Sequence, residues 1–165
     1  MAYPAKAIAN YFLGNFKGIC PMKLQKLVYF AHGWHLAING EPLINESIEA
    51  WNYGPVIPAL YHEFKKYGNK EIPVCATTYS ERLGDYVTPT IYDYDEGNAP
   101  EDTQDLLSVV WEVYGKFSAL QLSSMTHLPG TPWRTMMEVG EVGRNVEMDD
   151  DIIEEYFKKK IKNNE

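Results

Sequence analysis

Histidine and cysteine are the residues of this 165-residue chain that most directly invite a chemical reading. His32 and His35 stand three apart in a segment of helical periodicity, so their imidazoles share roughly one face and can offer two nitrogens to a metal. Zinc asks for a third protein ligand and usually for a carboxylate behind each imidazole. Glu49, His62 and His127 can approach in space, but no third ligand follows at a recognisable spacing. The competing reading puts Trp34 and His35 at the edge of a core, with His32 on a hydrogen-bond partner. No bound metal is therefore expected, and a metal-dependent hydrolase using His32 and His35 is kept as the alternative. Cys20 precedes a predicted helix, a place where a thiolate can be stabilised, and Cys75 is the second thiol. Cysteine is also among the most commonly buried residues. With no further nucleophile signature, both are expected to be free thiols in a reducing cytoplasm. There is no Gly-rich phosphate loop, no G-x-S-x-G elbow and no paired-cysteine motif. The chain reads as a protein without catalytic residues or cofactor.

The elements that must position these groups are mostly helices. Pro4 opens a helix to about Phe16, with Ile8, Phe12 and Phe16 on one stripe. A second, very apolar helix runs from near Pro21 to before Gly40. Its stripe is Leu24, Leu27, Val28, Ala31, Trp34 or His35, and Ile38, which suits passage through the core. The period then changes. Pro42–Ile44 and Ser47–Trp51 read as two short strands joined at Asn45-Glu46, with Ile48 and Ala50 facing opposite to Glu49 and Trp51. Gly54-Pro55 is read as a strand end, and Pro55 as the start of a helix through Val56, Leu60 and Phe64.

Residues 69–99 are the least readable. Tyr86–Thr88 and Thr90–Tyr92 suggest an edge strand broken by Pro89, and Asp93–Asn98 a polar loop. Beyond Pro100, Leu106, Val109, Val110 and Val113 mark one helix, capped at Gly115. Ser118 with Gln121 forms a capping box for the next, holding Leu120 and Leu122, and Thr131-Pro132 starts another. The last helix opens on Asp149–Asp151 and ends in Lys158–Lys160, a charge order that complements its dipole. Its expected buried face is Ile152, Ile153, Tyr156, Phe157 and Ile161. The sum is one α+β domain over residues 1–165, predominantly helical, with a small antiparallel sheet inserted after the second helix.

Composition narrows the partners. The formal net charge is −8, which argues against broad contact with nucleic-acid phosphates and makes a basic protein partner an option. No apolar run is long enough to span a bilayer, and the N-terminal residues lack a secretory pattern. A cytoplasmic setting is expected. Aromatic residues make up 13% of the chain, and Trp51 and Tyr53 lie on or beside the outward face of a predicted strand. Exposed aromatics are frequent anchors of protein interfaces. The alternative has Trp51 covered by the helix after Pro55.

Two blocks carry a resemblance. Leu24-Gln25-Lys26-Leu27-Val28-Tyr29-Phe30-Ala31-His32-Gly33-Trp34 resembles the opening signature of the Panacea, or SocA-like, antitoxin domain family, which also contains phage-associated GepA-like proteins. Glu49-Ala50-Trp51-Asn52-Tyr53-Gly54-Pro55-Val56 resembles that family's second motif, with Tyr61 following. Ser118, Leu122, Thr126-His127 and Pro132-Trp133 resemble its closing motif. The likeness runs from about Pro4 to Phe157 and is silent between Glu71 and Ala99. It implies a type II antitoxin that neutralises a cognate protein toxin by direct contact, in a phage or prophage setting. A phage accessory protein with a non-toxin partner is the other binding reading, and a second copy of the chain is a further candidate partner. The expected partner-binding residues are Gln25, Tyr29, His32, Glu49, Trp51 and Tyr53, with Thr126, His127 and Trp133 nearby. Gly54, Pro55 and Val56 are read as fold residues.

Overall fold

The computed structural model describes residues 2–94 and 99–163. Its centre is α2 (Pro21–Asn39), which packs on α1 (Ala5–Asn15), α3 (Pro58–Phe64), α4 (Pro100–Tyr114), α5 (Ala119–Thr126) and α7 (Asp150–Asn163). Every residue from Lys23 to Gly33 is buried, so this helix is covered on all sides rather than along one stripe. Pro21 supplies its first turn, and Gly40, at φ +70°, caps it in the left-handed conformation. α6 (Pro132–Glu138) completes the helices, with Thr131 accepting a bond from the Arg134 amide as its cap. Ser118 and Gln121 form both halves of the capping box that opens α5.

A three-stranded antiparallel sheet is ordered β2–β1–β5, from β1 (Ile48–Trp51), β2 (Gly54–Val56) and β5 (Glu147–Met148). Ile48 and Ala50 are buried, while Glu49 and Trp51 are half-buried on the other face. Two expectations change here. Pro42–Ile44 is not a ladder strand; Ile44 makes only an isolated bridge to Tyr3, because the Leu43 and Ile44 amides are spent on the His32 ring. Gly54-Pro55 continues into β2 as the return arm of a hairpin, and the helix waits until Pro58. Both prolines precede helix-compatible residues, so sequence alone favoured the first.

The remaining corrections concern faces. In α4 the buried side is Thr103, Leu107, Val110 and Tyr114, whereas Val109 and Val113 are exposed. In α7 Ile153 and Phe157 are buried, and Ile152 and Ile161 are exposed. Leu120 of α5 is exposed, with Leu122 inside. Gly115 has right-handed geometry at φ −61° and is no left-handed cap. Thr90–Tyr92 is not a strand, since Ile91–Tyr94 form a 3-10 turn; Tyr86 and Val87 do pair, in β4 (Asp85–Val87) against β3 (Thr78–Ser80). Of the expected polar loop Asp93–Asn98, Asp93 and Tyr94 belong to that 3-10 turn, and residues 95–98 lie outside the described residues. Asn10 ties this region to the core: its amide donates to the Ala76 and Pro89 carbonyls and its oxygen accepts from the Ala76 amide.

The α2–α7 contact depends on a missing side chain. A Cβ on Gly33 would sit 2.1 Å from Cε2 of the buried Phe157, whose ring also meets Tyr29, Phe30 and Trp34 edge-on. Gly33→Ala must push α7 away, and is expected to cost about 2 kcal/mol in chemical denaturation despite the better helix propensity of alanine. Unchanged stability would show that α7 yields freely.

Candidate functional site

The site is built on the β1–β2 hairpin. Trp51 pairs with Gly54, leaving Asn52-Tyr53 as a two-residue turn that lifts Tyr53 to 82% exposure. Gly54 has φ +118°, a conformation that L side chains rarely adopt. It is also crowded: a Cβ there would lie 2.9 Å from Lys26 Nζ, 2.9 Å from His127 Nε2 and 3.4 Å from Thr126 Oγ1. Two nitrogen groups from α2 and the end of α5 thus close on one point of the hairpin backbone. Gly54→Val is expected to cost roughly 1–3 kcal/mol from backbone strain, with displacement of Lys26 and His127 added; a wild-type melting temperature would overturn this.

Helix α2 grips the hairpin exit with adjacent residues. Lys26 Nζ donates to the Pro55 carbonyl at 3.0 Å. Gln25 donates to the Ile57 carbonyl at 3.1 Å and accepts from the Ile57 amide at 2.8 Å. Lys26 is only 2% exposed and has no ion-pair partner among the described residues. Burial alone pushes its ammonium down to about 8. On the other side, Trp133 Nε1 donates to the Trp51 carbonyl at 2.6 Å and its ring lies against that of His127, centroids 4.2 Å apart. His127 Nε2 is buried with no hydrogen-bond partner among the described residues. Burial holds this imidazole below its ordinary value, and the Lys26 and Arg134 charges add to the effect against a hydrogen bond with the Tyr53 backbone.

The outer face of the hairpin is aromatic. Trp51 meets Tyr61 edge-on at 4.9 Å, and the Arg144 guanidinium lies 4.9 Å from the Trp51 ring centre. Trp51 Nε1 donates to Glu49 Oε1, which also accepts from the Asn145 amide. Trp51 is thus partly covered by α3 and partly free. A groove of about 310 Å³ runs past it, lined by Met22, Gln25, Lys26, Trp51, Tyr53, Val56, Tyr61 and Lys65.

The sequence-derived set therefore divides. Tyr53, Trp51, Glu49 and His127 stand at or near the surface of one hairpin. Gln25, Thr126 and Trp133 are buried beneath it as its supports. Tyr29 and His32 lie inside, away from the groove. Tyr29 packs on Phe30 and Phe157, and burial raises its phenol well above the ordinary value. His32 joins two segments: Nδ1 accepts from the Leu43 and Ile44 amides at 3.3 and 3.4 Å, and Nε2 donates to Asp150 at 2.8 Å. With both nitrogens engaged, His32 has no lone pair to share with His35, whose Nδ1 bonds the Glu41 carbonyl. The residues around the hairpin missed from sequence are Lys26, Lys65 and Arg144. Lys26 lies with Lys23 in a largely apolar helical run, and its burial becomes visible only in the tertiary structure.

Comparison with known proteins decides the family. Residues 24–134 match the family described as Antitoxin SocA-like, Panacea domain. The chain belongs to the SocA-like Panacea antitoxin family. Antitoxin SocA of Caulobacter vibrioides (strain NA1000 / CB15N) is 32% identical over 163 residues, covering 93% of this chain and 82% of the relative. No solved structure matches the chain significantly. The Panacea match begins at Leu24 and ends at Arg134, so it takes in α2 from Leu24 onward, the hairpin and the Trp133 clamp. Among the described residues no helix is long and apolar enough to cross a membrane.

Proposed function

We propose that this Panacea protein is the antitoxin of a type II toxin–antitoxin pair, and that it neutralises a cognate protein toxin in the cytoplasm by direct contact, without catalysis. The family match over residues 24–134 and the likeness to Antitoxin SocA over 93% of this chain support the role. The observation that carries the binding mode is the hairpin: a tip tyrosine projects into solvent above a half-buried tryptophan, on a rigid support clamped from α2 and α6. Aromatics held this way suit the centre of an interface, where ordering them costs little entropy. His32, the strongest candidate for metal chemistry, is committed to structural hydrogen bonds. The test is co-expression with the protein encoded beside this gene. Growth rescue and a stable purified complex are expected. Toxicity that persists, with no complex formed, would overturn the antitoxin reading and favour an adaptor for a different partner.

A further inference from the structure

The groove between α2, the hairpin and α3 carries charge opposite in sign to that of the chain as a whole. Its lining includes two lysines, Lys26 and Lys65, and no carboxylate, on a chain with formal charge −8. A second hollow, of about 550 Å³, is lined by Glu46, Glu147, Asp149 and Asp150 without a single base. A third, along α7, has lysines as well, but Lys158 and Lys159 are already paired with Glu154 and Glu155. Lys26 has no such pairing among the described residues, and Lys65 enters no ion pair there either. Arg144, above Trp51, adds a third cation beside the rim.

We propose that this groove seats an extended segment of the partner protein, one that presents a large apolar side chain next to a carboxylate. Met22, Val56, Trp51 and Tyr61 form the apolar wall; Lys26 and Lys65 supply the charge. About 310 Å³ is at the small end for a ligand pocket, which fits a side chain better than a cofactor. A buried cation without a counter-ion is costly, and a partner carboxylate supplies the missing charge as water is excluded. The net acidity of the chain would favour a basic partner overall, yet this surface selects an acidic contact. The proposal rests on the antitoxin reading and names what the toxin must offer.

The experiment pans displayed short random peptides on the wild-type protein and counter-selects on Tyr61→Ala. Enriched peptides are expected to place a large apolar residue beside Asp or Glu. Replacing that acid by its amide, or Lys65 by Glu, should weaken binding about tenfold or more. Lys65 is exposed, so Lys65→Glu should melt as the wild type does, and the same variant should weaken growth rescue with the native toxin. Enrichment of basic peptides, binding indifferent to Lys65→Glu, no enrichment at all, or self-association through the groove would each overturn the proposal. Rescue by wild-type protein in those cases leaves the antitoxin reading standing, so the two failures are distinguishable.

Discussion

Lys26→Met is expected to stabilise the protein by about 2–3 kcal/mol at pH 7, although it removes a hydrogen bond from the heart of the site. The ammonium falls from 10.5 to about 8 on folding because burial disfavours its charge. At 1.36 kcal/mol per pH unit that fall corresponds to roughly 3 kcal/mol of penalty while the group is charged. The lost bond to the Pro55 carbonyl returns about 1 kcal/mol of it, and the buried methionine side chain restores part of that by packing. The pH dependence fixes the sign. Below about 8 both folded and unfolded chains keep the proton, so the whole penalty is present. Between about 8 and 10.5 the folded chain releases it while the unfolded chain does not, so wild-type stability rises with pH. The advantage of the methionine variant should therefore be widest at pH 7 and nearly gone by about pH 10.5. Urea denaturation at the two pH values measures this. A variant less stable than wild type at pH 7, or a gap that does not close, would show that Lys26 is compensated by something other than solvent or the Pro55 carbonyl. A residue that weakens the fold where an apolar one would strengthen it is the mark of a functional position.

That residue also shows where sequence reading reached its limit. Leu24, Leu27, Val28 and Ala31 announced a core helix, and the structure confirms α2 at the centre. The same apolar run hid Lys26, because a lysine in a helix usually snorkels to solvent. Only the tertiary cover from the hairpin and α3 shows that it cannot. The hairpin was legible in part: the alternation of Ile48, Glu49, Ala50 and Trp51 gave the correct faces. Its partner strand was misassigned because Gly54-Pro55 satisfies a helix start as well as a strand, and the choice is made by Trp51, Ala50 and Glu49 pairing across to Gly54, Pro55 and Val56. In α4 Val110 of the expected stripe is buried but Val109 and Val113 are not, because burial follows Thr103, Leu107, Val110 and Tyr114, one step around the helix. Tyr114 decides that rotation by stacking on Phe30 at 4.2 Å and accepting from Trp34 Nε1. The segment after Gly68 carried little period, since scattered long-range bonds hold it: Asn10 to Ala76 and Pro89, Lys6 and Glu63 to Thr77, and the Ile72 amide to the Ile19 carbonyl.

Trp51→Ala is expected to weaken toxin binding by about 2–4 kcal/mol, well over tenfold, and to abolish growth rescue at low expression. The tryptophan is half-buried on the outer face of the hairpin and forms one wall of the groove. Its rigidity comes from both sides: Tyr61 at 4.9 Å, Arg144 at 4.9 Å, and an indole N–H fixed on Glu49. Such an anchor loses little freedom on binding, so most of its burial appears as affinity. Part of the ring is already covered by α3, so truncation should also lower folding stability, by about 1–2 kcal/mol, less than a fully buried tryptophan would lose. The two losses separate by measuring affinity and denaturation on the same variant. Tyr53→Ala supplies a companion that folding does not confound, because that side chain is 82% exposed and sits on the turn. It should melt as the wild type does and still bind more weakly. Lost affinity in both variants, with Tyr53→Ala fully stable, would place the grip on the hairpin. If both variants fold and neutralise as well as the wild type, the toxin is held elsewhere, and the exposed Val109–Val113 face of α4, beside Ile38, becomes the next surface to substitute.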